Sequence, residues 1–251
     1  FKYVYDNIKK DVHLSSIAGG TDMVGCLILG NLYSNVYKGE IQGQSLAIEI
    51  DVFTDDGKSA KDGEKGELVV KNPFPSMPVK FWGDDNGEKY HKAYFTRFEN
   101  IWHHGDFIEK TSNNGFIMRG RSDATLNPGG VRIGTSEIYQ QVEDIDFITE
   151  GLVVGQDYKD DVRIILFVTT KENKELDDEK LRLIKTKIRK NCSPKHVPSV
   201  IIKVEEIPRT KSGKIVELAV KKIINGEELD NKEAIANPKC LDFFKNLKEL
   251  K

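Results

Sequence analysis

Near residue 122 the hydrophobic pattern of this chain changes period, and that change constrains the fold more than any single motif does. Upstream, apolar and polar residues alternate over short runs separated by turn residues. Leu46–Phe53 alternates as a half-buried strand does, Asp56-Gly57 marks a turn, and Gly66–Lys71 (GELVVK) is the next strand. Phe107–Lys110 and Phe116–Arg119 flank Asn113-Asn114-Gly115, a hairpin signal whose turn needs positive φ. Short strands with frequent turns predict a small barrel or curled sheet. Residues 1–14 read as a helix running into a buried strand. Downstream, strands and helices alternate. Gly151–Gly155 (GLVVG), Arg163–Thr169 (RIILFVT) and Ser199–Val204 (SVIIKV) read as buried strands. Ser136–Val142 reads as a helix with Ser136 at its N-cap, and Ile215–Ile224 as another. Asp177–Asn191 is amphipathic, with Leu181, Ile184 and Ile188 on one face and Lys and Arg on the other. The expectation is a mixed fold, α/β and α+β: a β-rich part, residues 1–122, followed by a small α+β unit, residues 123–251, with a polar, glycine-rich boundary around Arg121–Gly130.

Charge and cysteine content narrow the function. The 251 residues carry 38 Lys+Arg against 40 Asp+Glu, a net charge of −2, which argues against nucleic-acid binding through bulk charge. No apolar run approaches the ~18 residues of a membrane span. Cys26, Cys192 and Cys240 are odd in number and far apart, which suggests neither a disulfide framework nor a zinc site and fits the cytosol. The chain begins at Phe1 with neither Met nor a secretory leader, so it reads as a piece of a longer protein.

Four segments could carry chemistry. Pro208–Lys214 (PRTKSGK) packs three cations, two hydroxyls and a glycine into a loop before a helix, a setting that can receive an anion. A loop lysine suits an oxygen that gains charge in a transition state; the plain alternative is a solvated basic loop. Met118–Glu137 holds Arg121 and Arg132, each able to grip a phosphate by two parallel hydrogen bonds, and Gly129-Gly130, which lets backbone approach a ligand. Asp123 sits where a hinge between two domains would be; an ordinary turn-rich connector is the alternative. Ser15–Met23 (SSIAGGTDM) ends in a hydroxyl and a carboxylate that could hold a phosphate oxygen and Mg²⁺, or else Thr21 or Asp22 caps a helix. Trp102–Phe107 (WHHGDF) offers Asp106, at the start of a strand, to both hydroxyls of a ribose; a buried His–Asp pair or a turn is the alternative. His103 and His104, adjacent in a strand, face opposite sides and make no metal pair.

In this order the four segments resemble the adenylate-forming superfamily, which includes acyl-CoA synthetases, peptide-synthetase adenylation domains and firefly luciferase, and the resemblance runs along essentially the whole chain. Thr21-Asp22 is similar to its Thr-Glu motif with Asp for Glu. Gly105-Asp106 is similar to its Thr-Gly-Asp motif with His104 for Thr. Gly120–Asp123 and Gly129–Arg132 resemble its hinge and post-hinge motif, and Pro208–Lys214 its catalytic-lysine motif. Tyr37–Gln42, Phe81-Trp82, Lys92–Phe95, Arg121–Pro128, Lys195–Ser199, Glu217–Lys222 and the tail at 237–242 resemble one branch of its short-acid acyl-CoA synthetases.

The resemblance implies the β-rich tail of a large adenylate-forming domain followed by a small mobile C-terminal domain. It implies acid activation with ATP and coenzyme A as co-substrates and Mg²⁺ as cofactor. Lys214 would be catalytic, bridging carboxylate and α-phosphate. Thr21, Asp106, Arg121 and Arg132 would bind nucleotide, and Asp22 would bind Mg²⁺. Gly130 would line the pantetheine path, and Asp123 would be the hinge. Acetyl-CoA synthetases carry a Trp two residues before the motif Thr; Gly19 stands there in this chain, which implies an acyl pocket with room for acetoacetate, the alternatives being acetate or propionate. The superfamily's phosphate loop, which lies far upstream of the Thr-Glu motif, is not found in these residues. The expectation is therefore the C-terminal half of a synthetase, needing the missing N-terminal half as partner and a poor catalyst alone, with a non-catalytic truncated module as the alternative from another class.

Overall fold

The alternating runs of the first half do form strands, but two separate sheets share them. The computed structural model describes residues 1–229 and 232–251. It divides the chain into two units, Phe1–Met118 and Arg119–Lys251. In the first, β1 (Ala18–Gly20), β2 (Gly25–Leu29) and β3 (Gly43–Gln44) make an antiparallel three-stranded sheet. A second sheet orders β4 (Ile50–Phe53), β5 (Lys65–Val70), β6 (Trp102–Lys110) and β7 (Phe116–Arg121) side by side. A short helix α1 (Lys2–Asn7) opens the chain, and α2 (Glu88–Tyr94) lies between β5 and β6. Met23, Leu27, Ile28, Val52, Leu68, Trp102 and Ile108 form the core against which both sheets pack.

Two local expectations shift and a third holds. The strand read from Leu46 begins only at Ile50, because Ala47 takes a positive φ of 63° and leaves Leu46 exposed. α1 buries no side chain, and the buried strand expected after it is not formed: Val12 and Ile17 are exposed, and pairing starts at Ala18. The hairpin at 113–115 is present, with Asn114 at φ 60° and the Thr111 N–H donating to the Gly115 carbonyl at 2.9 Å.

In the second unit, β8 (Ile148–Tyr158) and β9 (Asp161–Thr170) pair antiparallel, and β10 (Val200–Lys203) joins β9 in parallel. The run RIILFVT is central in this sheet, so both its faces are buried. Ile164, Leu166 and Val168 meet Ile138 and Val142 of α3 (Thr135–Val142) and Ile184 and Ile188 of α4 (Asp178–Asn191). Ile165 and Phe167 face the other way, onto Val220 of α5 (Glu217–Ile224) and Phe244. Asp177 caps α4 by accepting the Lys180 N–H at 2.9 Å. The cap of α3 is Gly134, not Ser136: the Glu137 carboxylate reaches back to accept the Gly134 N–H at 3.0 Å, so the helix starts a residue earlier. Among the described residues no helix is long and apolar enough to cross a membrane.

Candidate active site

Trp102, His104 and Asp106 alternate along β6 and are all buried. Between Glu67–Phe107 and Val69–His103 the register of β5 and β6 slips, so two steps of β5 face four of β6. This bulge needs a residue at positive φ, and Gly105 supplies it at 84°. Asp106 therefore lies in mid-strand beside a bulge rather than at a strand start. The His104 Nε2 stands 3.6 Å from the Asp106 carboxylate, with both side chains largely buried, so a His–Asp pair is present. The Trp102 indole N–H donates to His104 Nδ1 at 3.3 Å. His103 points to the opposite side and pairs with the fully buried Glu67 at 3.0 Å, as strand parity requires.

Thr21 and Asp22 occupy the turn between β1 and β2, where the Val24 N–H donates to the Thr21 carbonyl at 3.3 Å. A strand follows, so neither residue caps a helix. The Asp22 carboxylate accepts the Tyr94 hydroxyl. Tyr94 ends α2, and it stacks on Trp102 with ring centroids 3.6 Å apart and planes 12° from parallel. The start of α2 is held by Asp84, whose carboxylate accepts the Lys89 and Tyr90 N–H groups at 3.0 and 2.8 Å. The two acids picked out in this unit thus end on one aromatic stack, through partners that no local pattern announced. Tyr94 and Asp22 are 72 residues apart. By contrast, the opposite facing of His103 and His104 was readable from their adjacency in a strand.

Among the described residues no three His, Cys, Asp or Glu side chains cluster as a metal cage. One carboxylate, Asp22, suits Mg²⁺, which is commonly held by one or two carboxylates together with substrate phosphates and water. Gly19 has a reason of its own to lack a side chain. It sits at an irregularity in the β1–β2 register, and a Cβ there would collide with the Gly25 carbonyl and lie 2.7 Å from the Cys26 Cα.

The other selected residues lie in the second unit. Lys214 is exposed on a tight turn closed by the Thr210 N–H donating to the Lys214 carbonyl at 2.8 Å, with Gly213 at φ 85°. The base of the turn is fixed: Arg209 pairs with Glu150 and also donates to the Gly213 carbonyl at 2.5 Å. Arg209 pairs with Ile215 across the turn, which delays α5 from the expected 215 to Glu217. Asp123 is in a single helical turn, Ser122–Ala124, with the Arg121 Nε 3.6 Å from its carboxylate. Its backbone carbonyl accepts the Lys221 ammonium of α5 at 3.2 Å, so one helix ties the Lys214 turn to the Asp123 turn. Burial raises the pKa of Glu217, at the start of α5; hydrogen bonds from Tyr139 and Thr135 oppose the rise and the Asp123 charge adds to it. Burial also drives the Tyr139 hydroxyl well above its ordinary value, and that hydroxyl accepts the Val153 N–H at 3.1 Å. Arg132 is half-buried next to Ile133, which pairs with Leu126. Gly130 takes φ 76° with nothing within 4 Å of where a Cβ would stand. The neighbouring Gly129 N–H donates to the Asp161 carboxylate at 2.9 Å, and this bond, with that from the Val162 N–H, lowers the Asp161 pKa.

No family model matches the chain. It is 57% identical over all 251 residues to the acetoacetyl-coenzyme A synthetase of Rhizobium meliloti, covering 38% of that protein, and 45% identical over 252 aligned residues to the acetoacetyl-CoA synthetase of Xenopus tropicalis, covering 37%. Among solved structures, an acetoacetyl-CoA synthetase from Streptomyces lividans superposes with a TM-score of 0.85 at 40% identity over 92% of this chain and 35% of its own. A benzoate CoA ligase from Burkholderia xenovorans shares the fold, with a TM-score of 0.68 at 23% identity over 82% of this chain and 40% of its own.

A β-rich piece bearing a His-Gly-Asp bulge, followed by an α+β unit bearing a lysine turn, matches the C-terminal region of enzymes of the adenylate-forming superfamily. Within it, the chain is a homologue of the acetoacetyl-CoA synthetases along its whole length. It spans under two fifths of the length of those relatives.

Proposed function

We propose that this chain is the C-terminal portion of an enzyme that ligates acetoacetate to coenzyme A at the expense of ATP, through an acetoacetyl-adenylate. The observation that carries the reading is Lys214, exposed on a turn pinned at its base, in a chain similar throughout to acetoacetyl-CoA synthetases. In the first step a carboxylate oxygen of acetoacetate attacks the α-phosphorus of ATP, and the bond to the bridging oxygen breaks to release pyrophosphate. In the second, the sulfur of coenzyme A attacks the acyl carbon as it loses its proton, and AMP leaves with the electron pair of the acyl–oxygen bond.

Two anions must meet in the first step. Lys214 offsets their repulsion and stabilises the charge that builds on the α-phosphate. Asp106 accepts the ribose hydroxyls, with Arg121 nearby; Arg132 contacts phosphate, and Thr21 a phosphate oxygen. Asp22 would hold Mg²⁺, which would supply neutralisation of phosphate charge. Asp123 is the pivot between the steps, with the functional domains divided at 122/123, and Gly130 leaves the pantetheine path open. The acid is assigned from the relatives, since Gly19 is already required by its own hairpin. This chain alone lacks the upstream phosphate loop and catalyses poorly or not at all. The intact enzyme works in the cytosol, where the three cysteines of this chain stay reduced, in the use of ketone bodies and in lipid metabolism.

The test is acid-dependent ATP–pyrophosphate exchange on the intact enzyme, with this chain beside it, using acetate, propionate, butyrate and acetoacetate. Exchange strongest with acetoacetate, and absent from the isolated chain, is expected. Preference for acetate would move the acid to the shorter alternatives. No exchange with any acid would favour a non-catalytic module.

A further inference from the structure

The reading above uses Asp22 and Asp106 but gives no part to the three aromatic side chains between them. Tyr94 stacks flat on Trp102 and donates its hydroxyl to Asp22. An indole N–H can only donate, so the His104 Nδ1 that receives it must carry a lone pair. The ring proton of neutral His104 is then on Nε2, the nitrogen 3.6 Å from the Asp106 carboxylate. At that distance the N–H faces the carboxylate without a full hydrogen bond, a spacing common in unliganded sites that tighten on binding. The edge of the same imidazole lies under the turn bearing Asp22: a Cβ added at Gly20 would stand 3.1 Å from His104 Cε1.

Trp102 is anchored well enough to serve as a reference point. It is 1% exposed and meets Phe74, Tyr90 and Phe95 edge-on or near it. Resting on the assignment of Asp106 to the ribose of the nucleotide and of Asp22 to its Mg²⁺, we propose that Tyr94, Trp102 and His104 form a positioning platform that fixes the directions of Asp22 and Asp106 together. None of the three touches the reacting atoms. The stack sets one acid through the Tyr94 hydroxyl and the other through the His104 tautomer, so both are aimed before ATP arrives.

Two measurements test this. Long-range ¹H–¹⁵N spectra of histidine-labelled chain read the ring tautomer directly: His104 is expected as the neutral Nε2–H form. An Nδ1–H form, or rapid exchange between tautomers, overturns the platform whatever the activity. In the intact enzyme, Tyr94→Phe keeps the stack and removes only the hydroxyl. The KM for MgATP should rise about five- to tenfold while kcat falls less. His104→Leu should raise that KM more, and His104→Gln, whose amide can donate near the Nε2 position, should recover most of the loss. If Gln and Leu are equally impaired, or Tyr94→Phe leaves the KM where it was, the platform is wrong. A wild type that shows no exchange defeats the nucleotide assignment, and the platform with it; a wild type that exchanges while these variants behave as wild type defeats the platform alone.

Discussion

The first unit ties both of its candidate acids to one packed aromatic stack, although Asp22 sits on an exposed turn, whereas the second presents its candidate lysine on a turn with no such stack behind it. Asp106 is buried in mid-strand, and Asp22 is tied through Tyr94 to the indole of Trp102. Lys214 is exposed on its own turn, with Arg209 and Glu150 fixing the base. The difference matches the demands of the two tasks. Groups that hold a ligand through a whole cycle gain from fixed directions. A cation needed in one step and in the way of the next gains from a firm base and a free tip. The Lys221 ammonium of α5, the helix that follows the lysine turn, donates to the Asp123 carbonyl and so links that helix to the proposed pivot.

Removing the tip tests this contrast most severely. Lys214→Ala in the intact enzyme should lower adenylation by about 10²–10³-fold, the range seen when one preorganised charge-stabilising group is lost. Thioester formation from supplied acetoacetyl-adenylate should stay near wild type. Equal loss in both half-reactions would give Lys214 a general role and erase the distinction between a stationary site and a visiting cation.

Constraining the pivot probes the same contrast from the other side. Asp123→Pro fixes φ near −65° and restricts Ser122 as well. The thioester step should fall by about 10²-fold, as a small misplacement of reacting groups can cause, with adenylation reduced much less. Single-turnover measurement of each half-reaction separates the two. If both keep wild-type rates, the turn at Ser122–Ala124 is not where the chain pivots.

These elements were unequally legible in the sequence. The lysine turn, the His-Gly-Asp bulge and the Thr-Asp turn each concentrate their chemistry in a few consecutive residues, so their types and order were enough. The sheet of the second unit was also readable, because a strand buried on both faces must be apolar throughout, as RIILFVT is. What spacing could not reveal are the partnerships made by folding. Asp22 with Tyr94, Glu150 with Arg209 and Tyr139 with Glu217 join residues 59 to 78 apart. The Ser136 cap failed for a smaller reason of the same kind: Glu137 supplied the acceptor itself, and a backbone N–H at Gly134 sufficed. Gly19 is a different case: the neighbouring strand already requires it to lack a side chain, so its glycine alone does not speak for an acyl pocket.

The pairing of Tyr139 with Glu217 offers the mildest test, and it bears on how firmly the lysine turn is based. β8 is an edge strand, and its Val153 N–H is covered by the Tyr139 hydroxyl, which in turn donates to Glu217. Burial and the Asp123 charge disfavour the ionised carboxylate, so the folded pKa of Glu217 lies above its ordinary 4.5. The sign follows from linkage. Stability from this group is full below the ordinary value and is lost as pH rises from there through the raised folded value. Protection of the Val153 amide against hydrogen exchange, corrected for the intrinsic pH dependence of exchange, should therefore decline over that window in the wild type. In Glu217→Gln, which cannot ionise but can still accept from Tyr139, protection should stay flat. The gap between the two proteins should open as pH rises and close again below the ordinary glutamate range. Parallel curves would mean that the base of α5 carries no strain from Glu217, and that the lysine turn rests on the Arg209–Glu150 pair alone.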